Sequence, residues 1–391
     1  MEGDFIKIND WLLPLSWIYG AGVRLRNQMF EMGMLKSRSF DIPVISVGNI
    51  TVGGSGKTPH VEYLINLLRD KVKVAVLSRG YKRKSKGYML ATADTPMSDI
   101  GDEPYQMKKK FADIYVAVDK DRCHGIDQLT ANEDTSDTDV ILLDDAYQHR
   151  YVKPGVNILL VDYHRLIMYD KLLPAGRLRE PQKGKARADI VIVSKCPAEL
   201  KPMEFRVITK AMNLFPYQKL YFTTLKYGSL RPIYGGEDRK LDTLTGDTSI
   251  LLLTGIASPQ QMIVDLKPYT ERITPLTFPD HHQYTDADIN RINAEFEAMK
   301  GNDKMIVTTE KDNARLCGME GLSDEVKKNI YVLPVEVGFM LDQEEDFNEN
   351  IIGYVRKNSR NSILAKAKDD NKSDNSDNSG NRTRTISFRN N

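Results

Sequence analysis

The chain has 391 residues, of which 41% are apolar and 28% charged, and its formal net charge is +1. This length predicts two domains with appendages, because one core rarely organises so many residues. A near-neutral chain lacks the overall positive field that gathers nucleic acid, so we predict no nucleic-acid partner. The cysteines, Cys123, Cys196 and Cys317, are far apart and form no CxxC pair, which argues against a disulfide framework or a cysteine zinc site and is typical of a reducing cytoplasm. No apolar run reaches the ~20 residues that a membrane-spanning helix needs.

The first predicted element is an amphipathic helix between residues 11 and 35, entered at Pro14. It carries both tryptophans of the protein, Trp11 and Trp17. Because tryptophan favours the headgroup boundary of a bilayer, residues 1–40 are predicted to associate with a membrane surface. The alternative is a helix that packs on the protein's own core, as most amphipathic helices do. Its apolar face contains Leu15, Ile18, Gly22, Leu25, Met29 and Met32, and the nearby cations are Arg24, Arg26, Lys36 and Arg38.

Short apolar, β-rich runs separated by helix-length segments follow, which predicts an α/β fold with a doubly wound parallel sheet over residues 41–217. In the segment 218–245, Tyr221, Thr223, Leu225 and Tyr227 stand at every second position, as in a strand. This pattern predicts a ribbon that links the first domain to a smaller α/β domain over residues 246–360. The polar tail, residues 361–391, is predicted to be disordered. The apolar runs are 44–47, 72–77, 114–118, 140–143, 156–161 and 190–193, and then 250–253 and 305–308.

A glycine-rich turn joins the first strand to a predicted helix, in the sequence VISVGNITVGGSGKTPH. This context is typical of a loop that binds nucleotide phosphates, and it predicts ATP as the cofactor. Lys57 would contact the β- and γ-phosphates, and the Thr58 hydroxyl would bind Mg²⁺. Thr51 stands where the usual pattern has glycine, and the alternative is an ordinary strand-to-helix turn. The predicted nucleotide-binding residues are Thr51, Val52, Gly53, Gly54, Ser55, Gly56, Lys57 and Thr58.

A pair of carboxylates ends the strand DVILLDD, at Asp144 and Asp145. Ligands of doubly wound sheets bind at the carboxyl ends of the strands, so these acids are expected near the phosphate loop. We predict that they help to bind Mg²⁺. The alternative is that they cap the following turn.

Seven sequence blocks resemble those of the tetraacyldisaccharide 4′-kinase family, in the same order and at about the same intervals. The resemblance spans roughly residues 14 to 320, and it includes the threonine at position 51. The blocks are TVGGSGKTP, SRGYKRKSKG, GDEPYQM, DDAYQHR, LLPAGRLREP, FPDHHQYT and TTEKDNARL. Ala146 and Tyr147 differ from many members of the family, but neither change removes a reactive group.

The resemblance implies a kinase that transfers the γ-phosphoryl group of ATP to the 4′-hydroxyl of a tetraacylated glucosamine disaccharide 1-phosphate, a lipid A precursor. It also implies a phosphate-loop domain joined by a two-stranded ribbon to a smaller domain. It further implies a peripheral protein at the cytoplasmic face of the bacterial inner membrane. No obligatory protein partner is evident from the sequence.

The remaining site residues belong to these blocks. We assign Glu180 to Mg²⁺ binding, and Ser78, Arg79, Gln148, His149 and Arg177 to the lipid substrate. The basic loop after Ser78 would hold the 1-phosphate or anionic headgroups. For Arg177, Arg179 and Glu180, solvated loop charges are an equal alternative.

The resemblance implies that Asp102 is the catalytic base and that His281, rather than His282, is its partner. The pair would form when the two domains close over the substrate. Without the family context, Asp102 reads as a helix cap. The alternatives for the histidines are that His282 is the partner or that both are ordinary loop residues. The competing functions are a phosphate-loop switch or assembly ATPase, and a soluble kinase of a small polar metabolite.

Overall fold

The structure is a computed structural model that describes residue 6 and residues 8–256, 259–280, 282–316 and 319–359. The predicted disordered tail and His281 lie outside these residues.

The helices and strands up to the ribbon are α1 Leu13–Glu31, β1 Val44–Asn49, α2 Lys57–Leu68, β2 Val74–Ser78, β3 Met89–Leu90, α3 Met97–Ile100, α4 Asp102–Lys110, β4 Tyr115–Val118, α5 Arg122–Ala131, β5 Val140–Asp144, β6 Val156–Asp162, β7 Ile190–Ser194, α6 Pro202–Met212 and β8 Lys219–Tyr227. The remainder are β9 Arg231–Pro232, β10 Ser249–Thr254, α7 Gln260–Leu266, β11 Ile273–Thr277, α8 Asp286–Ala298, β12 Lys304–Thr309, α9 Glu310–Leu316, α10 Asp324–Asn329, β13 Ile330–Leu333, β14 Val335–Phe339 and α11 Glu344–Asn358. Each predicted apolar run forms a strand.

The large domain is built on a sheet of nine strands in the order β14-β8-β7-β6-β1-β5-β2-β4-β3. Its central strands are parallel, and the antiparallel strands β14 and β3 lie at the two edges. Strand β1 lies between β5 and β6, so the chain winds to both sides of it. The fold class predicted from the sequence is confirmed, and the phosphate loop follows the strand at which the winding changes direction.

Helices cover both faces of this sheet. Leu64 of α2, Met107 of α4 and Phe347 of α11 pack on one face. Ile126 of α5 and Ile208 of α6 pack on the other. Each such buried side chain contributes about 1.5–3 kcal/mol relative to an exposed one, so the continuous apolar strands are stable only between these two helical layers.

The small domain has a sheet of five strands in the order β11-β10-β12-β13-β9. Ile292 and Phe296 of α8 pack on one face of this sheet. Leu266 of α7 packs on the other face, together with Leu241 of the segment that follows the ribbon. The second predicted domain is therefore a separate α/β layer structure.

The predicted boundaries of the ribbon and the small domain need correction. Strand β8 pairs antiparallel with β14, a strand more than a hundred residues later, so the two-stranded ribbon is not contained in residues 218–245. The prediction that residues 246–360 all belong to the small domain is wrong at its end, because β14 and α11 return to the large domain. Phe347, Ile351 and Val355 of α11 are buried in the large core, and this apolar face explains the return.

Helix α1 packs on the large domain but leaves most of its apolar side exposed. The Ser16 hydroxyl donates to the Leu172 carbonyl at 3.0 Å, and the Tyr19 hydroxyl donates to the Arg179 carbonyl at 2.7 Å. On the outward side Trp17 is 69% exposed, and Trp11, in the turn before the helix, is 93% exposed. The helix ends at Glu31, before the predicted residue 35. Across the described residues, no helix has the length and apolar character needed to cross a bilayer.

Candidate active site

The phosphate loop leads from β1 directly into α2, as predicted. Its backbone turns at Gly53 and Gly56, whose φ angles of +117° and +79° disfavour any residue with a side chain. A Cβ placed on Gly54 would have no neighbour within 4 Å, so the loop has an open side. Within the described part of the chain, the amides of residues 53 to 56 have no protein acceptor. Together with the N-terminus of α2, these amides form a site suited to a phosphate group.

Side chains outside the loop bind its carbonyl oxygens. Ser194, at the end of β7, donates to the Ser55 carbonyl at 2.9 Å, and the Lys195 ammonium donates to the Gly54 carbonyl. Asn49 donates to the Ser55 hydroxyl at 2.8 Å. These bonds fix the peptide planes from outside and leave the amides for a ligand. Sequence reasoning missed Lys195 and Ser194, because they follow an ordinary apolar strand and belong to no glycine-rich motif.

Lys57 and Asp145 meet in front of the loop. The Lys57 ammonium lies 3.6 Å from the Asp145 carboxylate, and the Arg179 guanidinium lies 3.4 Å from it. Burial alone would raise the pKa of Asp145, but the charges of Lys57 and Arg179 hold it below its usual value. Asp145 has a φ of 46°, a conformation that costs a non-glycine residue about 1 kcal/mol. The site therefore holds an ionised carboxylate in a strained backbone position.

Asp144 is buried beside it and is electrostatically unsatisfied. Its Oδ2 accepts a hydrogen bond of 3.2 Å from the Ser78 hydroxyl, whereas its buried Oδ1 has no partner within the described residues. Burial, and then the negative charges of Asp145 and Glu103, raise the pKa of Asp144 to about 6. A divalent cation would relieve both the unpaired oxygen and the excess negative charge.

The segment LLPAGRLREP runs beside the phosphate loop. The Val52 amide donates to the Arg177 carbonyl at 2.8 Å, and the Arg179 amide donates to the Ile50 carbonyl at 2.7 Å. The block therefore supports the loop through an isolated antiparallel bridge between Thr51 and Leu178. Of its side chains, Arg177 was assigned to the substrate and Glu180 to Mg²⁺, and the structure separates Arg179, which contacts Asp145, from Glu180.

Glu180 is buried and already has protein partners. Its Oε1 accepts hydrogen bonds from Gln148 at 3.1 Å and from Arg187 at 2.9 Å. Gln148 also donates to the Asn49 carbonyl at 2.6 Å. These two predicted residues thus link β1, the turn after β5 and the LLPAGRLREP segment. Ser78, predicted to contact substrate, donates a hydrogen bond to Asp144.

His149 lies in a positively charged surrounding. Burial and the nearby guanidinium of Arg122 lower the pKa of His149 to about 4, with a smaller contribution from Arg79. The side-chain atoms of Asp121, Cys123 and His149 that could bind a metal ion lie within 4.8 Å of one another. The positive charges of the nearby arginines disfavour a cation between them. Arg122 is buried and donates to the Asp144 carbonyl at 3.4 Å. Sequence reasoning missed Arg122, which stands outside every block.

Asp102 is the first residue of α4 and is buried. Its Oδ2 accepts two hydrogen bonds from Arg315 of the small domain, at 2.9 and 2.7 Å. His281 lies outside the described residues. His282 is bound to Asp288 at 2.9 Å and stacks on Phe278, so it takes part in the start of α8.

Comparison with known proteins identifies the family. The family model described as Tetraacyldisaccharide-1-P 4'-kinase matches residues 8–356. The chain belongs to this family. As a 4′-kinase family member it is an enzyme, and the resemblance drawn from its sequence blocks is confirmed.

Relatives of this 4′-kinase cover almost the whole chain. A tetraacyldisaccharide 4'-kinase of Phocaeicola vulgatus is 61% identical, with 93% of this chain and 99% of that protein covered. The one from Bacteroides thetaiotaomicron is 54% identical over 93% of this chain and 98% of its own. A crystal structure of LpxK from Aquifex aeolicus, described as an apo form in complex with ATP, is 31% identical with a TM-score of 0.66, and covers 88% of this chain and 98% of that one.

Proposed function

We propose that this 4′-kinase transfers the γ-phosphoryl group of ATP to the 4′-hydroxyl of a tetraacyldisaccharide 1-phosphate and so forms a 1,4′-bisphosphate. One observation carries the proposal. In a chain of this family, the phosphate loop, the acids Asp144 and Asp145, and the buried Asp102 lie together at the carboxyl edge of one sheet. Phosphoryl transfer needs these parts: a phosphate cradle, cations for the developing charge and a proton acceptor.

ATP would bind with its phosphates on the amides of residues 53 to 56 and on Lys57. The Aquifex aeolicus relative, whose crystal structure is a complex with ATP, supports this choice of nucleotide. The Lys57 ammonium lies 3.6 Å from the Asp145 carboxylate, so it is held in front of the loop. Its charge would stabilise the negative charge that develops during transfer.

Mg²⁺ fits the acids of this site. Asp144, with its unpartnered buried Oδ1, and Asp145 would hold the ion together with the Thr58 hydroxyl at the start of α2. Mg²⁺ supplies charge neutralisation at the β- and γ-phosphates. Glu180 is held by Gln148 and Arg187, and this favours a supporting role for it behind the direct ligands.

Asp102 would accept the proton of the 4′-hydroxyl, with His281 as its partner. The engagement of His282 with Asp288 favours His281, because His282 already stabilises the N-terminus of α8. Arg79, His149 and Arg177 would bind the substrate, and the positive charge of Arg122 beside His149 suits a lipid phosphate. Ser78 would orient Asp144.

We also propose that the protein acts at the cytoplasmic face of the inner membrane. The apolar side of α1, with Trp17, Ile18 and Leu25, is exposed rather than packed on the large domain, and so is Trp11 in the turn before the helix. This supports the membrane interpretation over the alternative of a helix facing only its own core.

The test uses purified protein, ATP, Mg²⁺ and the tetraacyldisaccharide 1-phosphate in detergent micelles, with mass spectrometry of the lipid. We expect one added phosphoryl group on the non-reducing sugar. The rival switch or assembly ATPase predicts phosphate release without lipid phosphorylation. We expect Asp102→Asn and His281→Ala each to lower kcat strongly, and the double variant to fall little below the worse single one. A larger defect for His282→Ala than for His281→Ala would contradict this pairing.

A further inference from the structure

The two domains meet along a charged seam between α4 of the large domain and α9 of the small one. Within the part of the chain that the structure describes, three ion pairs cross it: Asp102 with Arg315 at 2.7 Å, Glu103 with Lys311 at 2.7 Å, and Lys110 with Glu310 at 2.7 Å. In each pair the residue from α9 belongs to the block TTEKDNARL. The proposed mechanism gives this block no role. Only one of the three pairs involves the proposed base.

Arg315 is held in one position by its own domain. Its side chain has no exposed surface. Nη1 donates to the Gly255 carbonyl at 2.9 Å and to Asp312 at 3.0 Å, while Nε and Nη2 donate to Asp102. Asp312 is fixed in turn by the Gly255 amide at 2.9 Å and by the Thr309 hydroxyl at 2.7 Å. The side of the guanidinium group that faces Asp102 is therefore held in position by the small domain itself.

We propose that Arg315 is a positioning residue for phosphoryl transfer, which holds the Asp102 carboxylate in one orientation and balances its charge from the opposite domain. The proposal rests on the proposed function, since it takes Asp102 as the base. A buried carboxylate without a cation tends to take up a proton and would then be unable to accept one from a hydroxyl group. The base is thus complete only while the small domain is docked.

The electrostatic surroundings agree with this role. Burial opposes the charge of Arg315, but Asp102 more than compensates, so the pKa of the guanidinium is raised. Arginine also presents several N–H groups in a fixed planar arrangement, which a lysine in the same place lacks. Among the described residues, the other charged or titratable groups around the pair are Glu103 of α4, Lys311 and Asp312 of α9, and Asp280 and Tyr284 before α8.

A merely structural role is the competing explanation, in which Arg315 only fastens the domains together. Glu310→Gln is the matched control, because it removes a cross-domain charge pair from the same helix, does not touch Asp102, and leaves Lys110 its second partner, Glu62. A fastening role predicts similar defects for both variants.

The experiment measures kcat, the KM for ATP and the pH profile of lipid phosphorylation for the wild type, Arg315→Gln, Arg315→Lys, Glu310→Gln, Asp102→Asn and the Asp102→Asn/Arg315→Gln double variant. We expect Arg315→Gln to lower kcat by about 100-fold, the scale of general-base catalysis, with little change in the KM for ATP. The acid limb of its pH profile should move to higher pH by about one unit, because a carboxylate that loses its cation is protonated more readily. Glu310→Gln should keep the wild-type profile, and Arg315→Lys should regain part of the rate.

Equal losses in Arg315→Gln and Glu310→Gln with unshifted profiles would overturn the proposal, as would a double variant in which the two losses multiply. Nucleotide binding and thermal unfolding report on folding, and if Arg315→Gln does not fold, the acid limb of Arg315→Lys decides in its place. Wild-type protein that forms no bisphosphate refutes the proposed function itself. Full turnover in Asp102→Asn overturns both the base assignment and the role of Arg315.

Discussion

His60 joins the phosphate loop to the ribbon, and its ionisation should limit the stability of the protein in acid. The side chain is fully buried in α2. Its Nδ1 lies 2.7 Å from the Gly56 carbonyl, and its Nε2 lies 3.1 Å from the Thr223 hydroxyl. A carbonyl can only accept, so Nδ1 carries the proton and Nε2 accepts from Thr223. Burial, opposed in part by the Gly56 hydrogen bond, lowers the pKa of His60 from 6.5 to about 4.

The sign of the effect follows from linkage between protonation and folding. The unfolded chain takes up a proton on His60 near pH 6.5, whereas the folded protein does so only near pH 4. The stabilisation is therefore complete above the unfolded pKa and is lost as the pH falls through this window. From about pH 8 to about pH 5 the free energy of unfolding should drop by about 2 kcal/mol through this residue alone.

Urea unfolding at several pH values, followed by far-ultraviolet circular dichroism, measures this loss in the wild type and in His60→Gln. Glutamine does not titrate, and contributions from other groups, including His149, cancel in the comparison. The wild-type free energy should fall more steeply towards acid, and the two curves should separate by about 2 kcal/mol between about pH 8 and about pH 5. Parallel curves would refute the assignment of a neutral, buried His60, whatever the absolute stability of the variant.

Three further predictions concern catalysis, the membrane and the tail. Lys57→Ala should lower kcat at least ~100-fold, because a preorganised cation is lost from the developing charge; a near-normal rate in the micelle assay would contradict the loop assignment. Replacing Trp11 and Trp17 with serine should reduce co-sedimentation with anionic vesicles, whereas the control Tyr217→Ser, which removes another exposed aromatic ring, should not; unchanged sedimentation of the tryptophan variant would require another attachment surface. Removing residues 365–391 should leave lipid phosphorylation intact, and a large loss of turnover in the folded truncation would show that the tail takes part.

Local patterns predicted the strands and the phosphate loop correctly. Continuous apolar runs such as 140–143 can only be stable between two helical layers, so they indicate buried parallel strands. The loop could be recognised because glycine, lysine and threonine must stand at fixed positions between a strand and a helix. The blocks that resemble the family predicted the kinase correctly.

Contacts between distant parts of the chain could not be predicted in this way. The pairing of β8 with β14 joins segments whose local patterns contain no information about each other, so the small domain was predicted to end too late. Arg315 contacts Asp102 across 213 residues, and Arg122 reaches the site only because α5 begins beside β5. The assignments of Asp102 and His281 remain predictions that the variants above will test.

The path of the chain has a mechanical consequence. Because β14 and α11 return to the large domain, residues 228–334 form an insertion that enters through β8 and leaves through β14. The two strands are paired up to Tyr227 and Val335, so the insertion leaves the large sheet at adjacent points. Two paired strands resist sliding past each other but can bend together. We therefore expect the small domain to swing about the ends of β8 and β14. A short turn joining Tyr227 to Val335 would replace the whole insertion without interrupting the sheet. We expect the product to be a nucleotide-binding domain that lacks Arg315 and its contact with Asp102.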